Sequence, residues 1–261
     1  MEQLHHQSYA LESKSTRVWS IIIVTAFVGL AIAYLPAIPQ AAHFHNFADQ
    51  RSWQGIPNLL NVVSNIAFVL GGIAGLRFLS RPSAVRFPKA PWFTFFAGAM
   101  LTGVGSAYYH LAPDNGRLMW DRLPMTIVFM SLLAAVIAER ISAKGGLLLL
   151  FPLLMIGVGS VVYWHFTEQA GHGDLRLYGF VQFYPILLIP AILLLFRARF
   201  TNSGYLVAMI GVYALAKVSE HFDAELLSLG QIVSGHTVKH LLASLPIWFV
   251  LQMLRVRKPM H

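Results

Sequence analysis

The 261 residues are 56% hydrophobic and only 11% charged, against roughly a quarter charged in a soluble domain, and the mean hydropathy is +0.61. This balance excludes a set of independent soluble domains and reads as one all-α integral membrane domain. The formal charge of +8 falls in short basic clusters between apolar runs, which argues for a bilayer and against nucleic acid as the partner, while the lack of cysteine excludes disulfides, a thiolate nucleophile and cysteine-bound zinc.

The chain opens with a polar stretch, 1–17, that holds His5, His6, Lys14 and Arg17, followed by an apolar run over 18–35 that ends before Pro36 and Pro39. A bilayer core takes about 20 helical residues. The long polar lead and the want of a small-residue cleavage pattern favour an uncleaved anchor helix over a signal peptide. Residues 36–57 form a loop with His43, His45, Asp49, Arg51 and Trp53, suited to the membrane interface. A second span, 58–79, carries Asn61, Ser64 and Asn65, which must face other helices or a cavity rather than lipid. The third, 91–112, ends with Ser106 and His110, and the turn at Asp114-Asn115-Gly116 sends the chain straight back. Further spans are expected from Trp120 or Asp121 to Glu139 and over 146–164, 178–196, 205–220 and 233–254. The expected fold is therefore eight membrane-spanning helices.

Alternate loops give an independent check, because cytoplasmic loops collect Lys and Arg. One set holds Lys14 and Arg17, then Arg77, Arg81, Arg86 and Lys89, then Arg140 and Lys144, then Arg197 and Arg199, then Arg255, Arg257 and Lys258. The other set mixes signs, with Asp49, Asp114, Glu168, Asp174, Asp223 and Glu225 among its members. Both termini are then cytoplasmic, and Ser106, His110, Asp121, His236 and His240 all lie near the outer face.

Residues four apart on a helix share a face, so His236 and His240 can present two imidazoles to one ion. His110 at the same depth completes a three-histidine set that leaves one position open, as in catalytic zinc sites. The alternative is three core histidines hydrogen-bonded between helices. Ser106 lies one turn before His110 and can donate to an oxyanion or simply bond the carbonyl four residues back. Asp121 can serve as the base that the His236-x-x-x-His240 motif lacks, since Lys239 precedes the second histidine; otherwise it anchors the helix end with Arg122 or caps it. Lys217, Glu220 and Asp223 form a polar cluster read first as a helix-end ion pair and otherwise as groups that support the metal ligands. Gly171-His172-Gly173-Asp174 and Gln182 are candidates for an entrance, and His5, His6, His43, His45, His165 and His172 are placed in solvated loops.

Taken in order, Asn61-Val62-Val63-Ser64-Asn65, Ser106-x-x-x-His110, Trp120-Asp121-Arg122-Leu123-Pro124-Met125 and Ser234-Gly235-His236-Thr237-Val238-Lys239-His240 resemble the alkaline ceramidase family, and its bacterial members in particular. That family sits within the seven-transmembrane hydrolases that include the adiponectin receptors. The resemblance implies a seven-helix catalytic domain over 58–254, preceded by a tail, extra helix and outer loop over 1–57 and followed by a basic tail, 255–261. It implies Zn2+ held by His110, His236 and His240, with Asp121 as proton acceptor and Ser106 as oxyanion donor, and a water activated at zinc that attacks the amide carbonyl of ceramide or a similar lipid amide to release a sphingoid base and a fatty acid. It also implies residence in the bacterial inner membrane with the active site toward the outer side. Calcium is not expected, because the loop before the core offers only Asp49, with Asn58 and Asn61 as neutral ligands. Two other function classes remain: a lipid-sensing receptor keeping the metal as structure, and a metal transporter, which the single depth of the candidate ligands disfavours.

Overall fold

The computed structural model describes residues 2–82 and 87–260, with side chains from Lys14 onward. The side chains of His5 and His6, and Arg86, lie outside the described residues. Among the described residues ten α-helices run in chain order: α1 (Glu2–Tyr34), α2 (Leu59–Val63), α3 (Ile66–Leu79), α4 (Lys89–Leu111), α5 (Asn115–Arg140), α6 (Ala143–Gln169), α7 (Arg176–Leu195), α8 (Gly204–His221), α9 (Asp223–Gly230) and α10 (Gly235–Val256). A short 3-10 turn, Ala42–His45, lies in the loop after α1. No strand occurs among the described residues.

Among the described residues six helical stretches are long and apolar enough to cross a membrane: Lys14–Tyr34, Leu59–Leu79, Asn115–Arg140, Ala143–Gln169, Arg176–Leu195 and Gly235–Val256. Helices α4 and α8, also expected to span, fall outside this set. They carry the polar side chains Ser106 and His110, and Lys217 and Glu220, on otherwise apolar segments.

Local chemistry moves three boundaries from where the sequence puts them. The second expected span is broken after Val63, because Ser64 Oγ and Asn65 Nδ2 donate to the Asn61 carbonyl at 3.2 and 2.7 Å and compete with the helical ladder. The span expected from Trp120 or Asp121 starts at Asn115 instead, since the Asp114 side chain accepts from the Arg117 N–H at 2.7 Å and caps the helix there. Asp121 therefore lies on the second turn and caps nothing. The chain between α8 and α10 forms the extra helix α9, closed by Gln231 in the left-handed region at φ 54°.

The bundle core is aromatic and aliphatic, with Trp92, Phe95, Phe96, Val136, Ile192 and Leu251 all but sealed from solvent. Two glycines set the site. A Cβ at Gly105 would collide with the Trp120 carbonyl, and one at Gly235 with the Ser219 carbonyl. Small residues at these crossings let α4 reach α5 next to Ser106, and α10 reach α8 next to His236. By contrast α1 is peripheral: Thr25 Oγ1 meets the Tyr184 hydroxyl at 2.8 Å, while Trp19, Ile23, Phe27 and Leu30 face outward.

Candidate metal centre

His110 comes from the last turn of α4, and His236 and His240 from the first two turns of α10. All three are buried, and each offers a ring nitrogen within 4.8 Å of the other two. The Nε2 atoms of His110 and His236 are 3.3 Å apart. Two nitrogens at 2.0–2.1 Å from a tetrahedral ion stand about 3.3–3.4 Å apart, so this spacing is that of two ligands on one zinc-sized centre. His240 turns Nδ1 to the Ser64 hydroxyl at 2.8 Å, which leaves Nε2 buried and without a partner. That orphaned nitrogen fits a missing ligand: a histidine bound to metal through one nitrogen has the other fixed by a hydrogen bond. The three histidines form a group able to hold a metal ion.

The surrounding residues lock the rings. Asn58 Nδ2 donates to the His110 carbonyl at 2.9 Å, and the Thr237 hydroxyl donates to Asn61 Oδ1 at 2.8 Å, so both asparagines are engaged in holding the helices. Phe47, from the loop after α1, packs its ring 4.6 Å from His110 and 4.4 Å from His236. The loop is tied down over the histidines by Asp223, whose Oδ1 accepts from the His236 N–H at 2.6 Å and whose Oδ2 accepts from the Ala48 N–H at 2.9 Å. Arg51 adds donations to the Gln231 and Ile232 carbonyls and a pair with Asp49 at 2.7 Å. Hydrogen bonds from Arg51 hold the Asp49 carboxyl below its ordinary range despite partial burial.

Beside the triad opens a cavity of about 200 Å³. Its deep wall is apolar, with Phe68, Phe95, Leu132, Ile189, Met209 and Ile247. Its polar end holds His240, Ser106, Asp121, Arg122, Lys217, Glu220 and Lys239. Ser106 and Asp121 both line this polar end. Glu220 bridges Lys217 and Lys239, the latter at 3.0 Å, which bears out an ion pair at the end of α8 and adds a lysine from α10. Asp223 stands apart from that pair.

Several other residues depart from the sequence reading. His45 is not a solvated loop side chain: its Nδ1 meets the Tyr109 hydroxyl at 2.8 Å and its Nε2 meets Asn115 Oδ1 at 3.0 Å. His165 lies on α6 rather than in a loop. Gln182 does line the cavity and donates to the Tyr213 hydroxyl at 2.8 Å. Gly171–Asp174 lies outside the cavity wall, and Asp174 is bound by Arg176 at 2.7 Å and Tyr163 at 3.0 Å, which hold its carboxyl down to about 2. Phe47 and Ser64 as partner of His240 were missed or left without a role in the sequence, where only the polar character of Ser64 on an apolar helix hinted at one; Asp223, the alternative support for a metal ligand, does hold the His236 N–H.

Comparison with known proteins gives one family. The model of the Ceramidase family matches residues 52–199. The matched stretch contains Ser106, His110 and Asp121, whereas His236 and His240 lie beyond it and join them only in the folded chain. No curated protein matches the sequence.

Proposed function

Because the chain belongs to the Ceramidase family, we propose that it is a zinc-dependent intramembrane amidase that hydrolyses ceramide or a related lipid amide to a sphingoid base and a fatty acid. One observation carries this reading: three buried histidines converge on one point, and the third of them, His240, lines the polar end of an apolar cavity together with Asp121 and Ser106. His110, His236 and His240 would hold the ion, which when bound supplies a Lewis acid for the amide carbonyl and lowers the pKa of water toward about 7. Asp121 accepts the proton of the attacking water and returns it to the departing amine nitrogen. The Ser106 hydroxyl orients Asp121 in the resting site and donates to the carbonyl oxygen as negative charge develops there. Phe47 shields the rings from water on the loop side, and the apolar wall receives a hydrocarbon chain.

In this reading α1, the α2–α3 pair, α4 to α8 and α10 make eight spans, with residues 58–254 as the catalytic domain, 1–57 and 255–261 as its flanks, and both termini cytoplasmic. The alternation of basic loops supports that orientation. It puts the cavity's polar end toward the outer side of a bacterial inner membrane. Helices α4 and α8 are carried across by packing against apolar neighbours, which hides their polar faces.

Metal analysis and lipid mass spectrometry on the purified protein test the proposal. About one zinc per chain and release of fatty acid from a ceramide-type amide are expected, with loss of the metal in His236→Ala and loss of turnover with retained metal in Asp121→Asn. Retention of zinc by both His236→Ala and His240→Ala would sink the site. Zinc without turnover of any lipid amide would favour a lipid-sensing receptor.

A further inference from the structure

A guanidinium with no carboxylate lies in the wall of the same cavity. Arg122 is 5% exposed. Its Nη2 donates to Gln40 Oε1 at 2.6 Å, while Nη1 is buried and has no partner. Three aromatic rings surround it, Phe44 at 5.3 Å, Trp164 at 4.2 Å and Tyr178 at 4.7 Å. Phe44 and Tyr178 line the cavity together with Arg122. None of the ion pairs among the described residues includes this arginine.

The balance of charge around the cavity singles the arginine out. Its wall presents three cations, Arg122, Lys217 and Lys239, and two carboxylates, Asp121 and Glu220. Glu220 gives one oxygen to each lysine, and no ion pair among the described residues joins Asp121 to Arg122. Aromatic faces offset only part of what burying an unpaired charge costs. A loop-holding role would use only the bond to Gln40, which a neutral amide could make as well. The unpartnered Nη1 of this permanently charged guanidinium is a donor of the kind that a carboxylate or phosphate oxygen accepts from.

We propose that Arg122 is the recognition group for an anionic substituent, a carboxylate or a phosphate, on the polar end of the lipid amide, so that the substrate is an acidic lipid amide. Arg122 follows Asp121 in α5, which sets the anion beside the residue that handles the amide proton. The reaction named here rests on the amidase reading, but the anion site does not.

N-palmitoylglycine, N-palmitoylethanolamine and O-phosphorylated N-palmitoylethanolamine share one acyl chain and one amide and differ in the group offered to Arg122. Binding is measured on the zinc-loaded Asp121→Asn protein and turnover on wild type. At least one acidic member should bind and react about tenfold or more better than the neutral one, the worth of a charge-assisted hydrogen bond. The carboxylate and phosphate arms tell which anion is read. Arg122→Gln should cut that ratio about tenfold or more, and Arg122→Lys should keep part of it. Equal binding of all three amides by the protein with Arg122 intact overturns the proposal without need of a variant, as does an unchanged ratio in Arg122→Gln. Selective binding of an acidic member with no turnover of any would leave the anion site standing and remove the amidase.

Discussion

At the end of the bundle where α5 and α10 finish, Glu139 accepts from Arg257 Nη1 at 2.5 Å and from Trp92 Nε1 at 2.8 Å, and Phe87 and Phe200 cover the guanidinium at 4.0 and 4.5 Å. At the other end of the same helices the three histidines and Arg122 are buried as well, yet Asp121, Arg122 and His240 line a cavity of about 200 Å³. Both ends cage an arginine in aromatic rings, but only Arg257 has a carboxylate. The difference teaches how to tell the two uses of buried charge apart: Arg257 has its counter-charge within the protein and joins helices, although its Nε and Nη2 stay unbonded, whereas Arg122 has no carboxylate and lines a cavity that a ligand can enter.

The comparison predicts separable losses. The largest is chemical: Asp121→Asn should lower amide turnover by about 10²–10⁴-fold while zinc content, read by elemental analysis, stays near one per chain. Next comes the closed end, where Glu139→Ala leaves Arg257 buried alone and should cost about 3–5 kcal/mol in detergent unfolding, with the remaining folded protein still holding metal. Replacing both partners, Glu139→Leu with Arg257→Met, should recover most of that loss. If Glu139→Ala emptied the metal site instead, the two ends would not be independent. Ser64→Ala removes the partner of His240 Nδ1 and should weaken zinc binding about 10–100-fold in a chelator competition, with little change in unfolding.

The smallest effect lies outside the membrane. Asp174 is held down to about 2 by Arg176, so its contribution is complete above the ordinary carboxylate range near 4 and disappears as the pH falls through 2. With Arg176 partly open to solvent, the change in unfolding free energy between pH 5 and 2 should be about 1 kcal/mol, and Asp174→Asn should flatten it.

How much of this could be read beforehand follows from what each residue depends on. The long helices were legible from apolar runs of spanning length, and the three histidines from the alternation of basic loops, which put residues 110, 236 and 240 at one depth. The broken α2–α3 pair was not, because Ser64 and Asn65 look like tolerable helix residues until their side chains take the Asn61 carbonyl. Phe47 was beyond reach for a different reason, and Asp223 was legible as a supporting group but not as a clamp. These roles exist only once the loop after α1 is laid over α10, a contact between segments about 175 residues apart. Arg122 was visible as a neighbour of Asp121 and was read as its possible partner; the structure gives it Gln40 and three rings instead.

The triad draws one ligand from the end of α4 and two from the start of α10. During synthesis His110 leaves the ribosome with more than a hundred residues still to come, and no second ligand exists until the final helix is made. A three-histidine centre can therefore form only in a chain that has been translated through α10 and has placed that helix against α4. In the proposed enzyme, metal loading would thus mark completion of assembly, and a chain halted before α10 would carry Asp121 and Ser106 with no ion beside them.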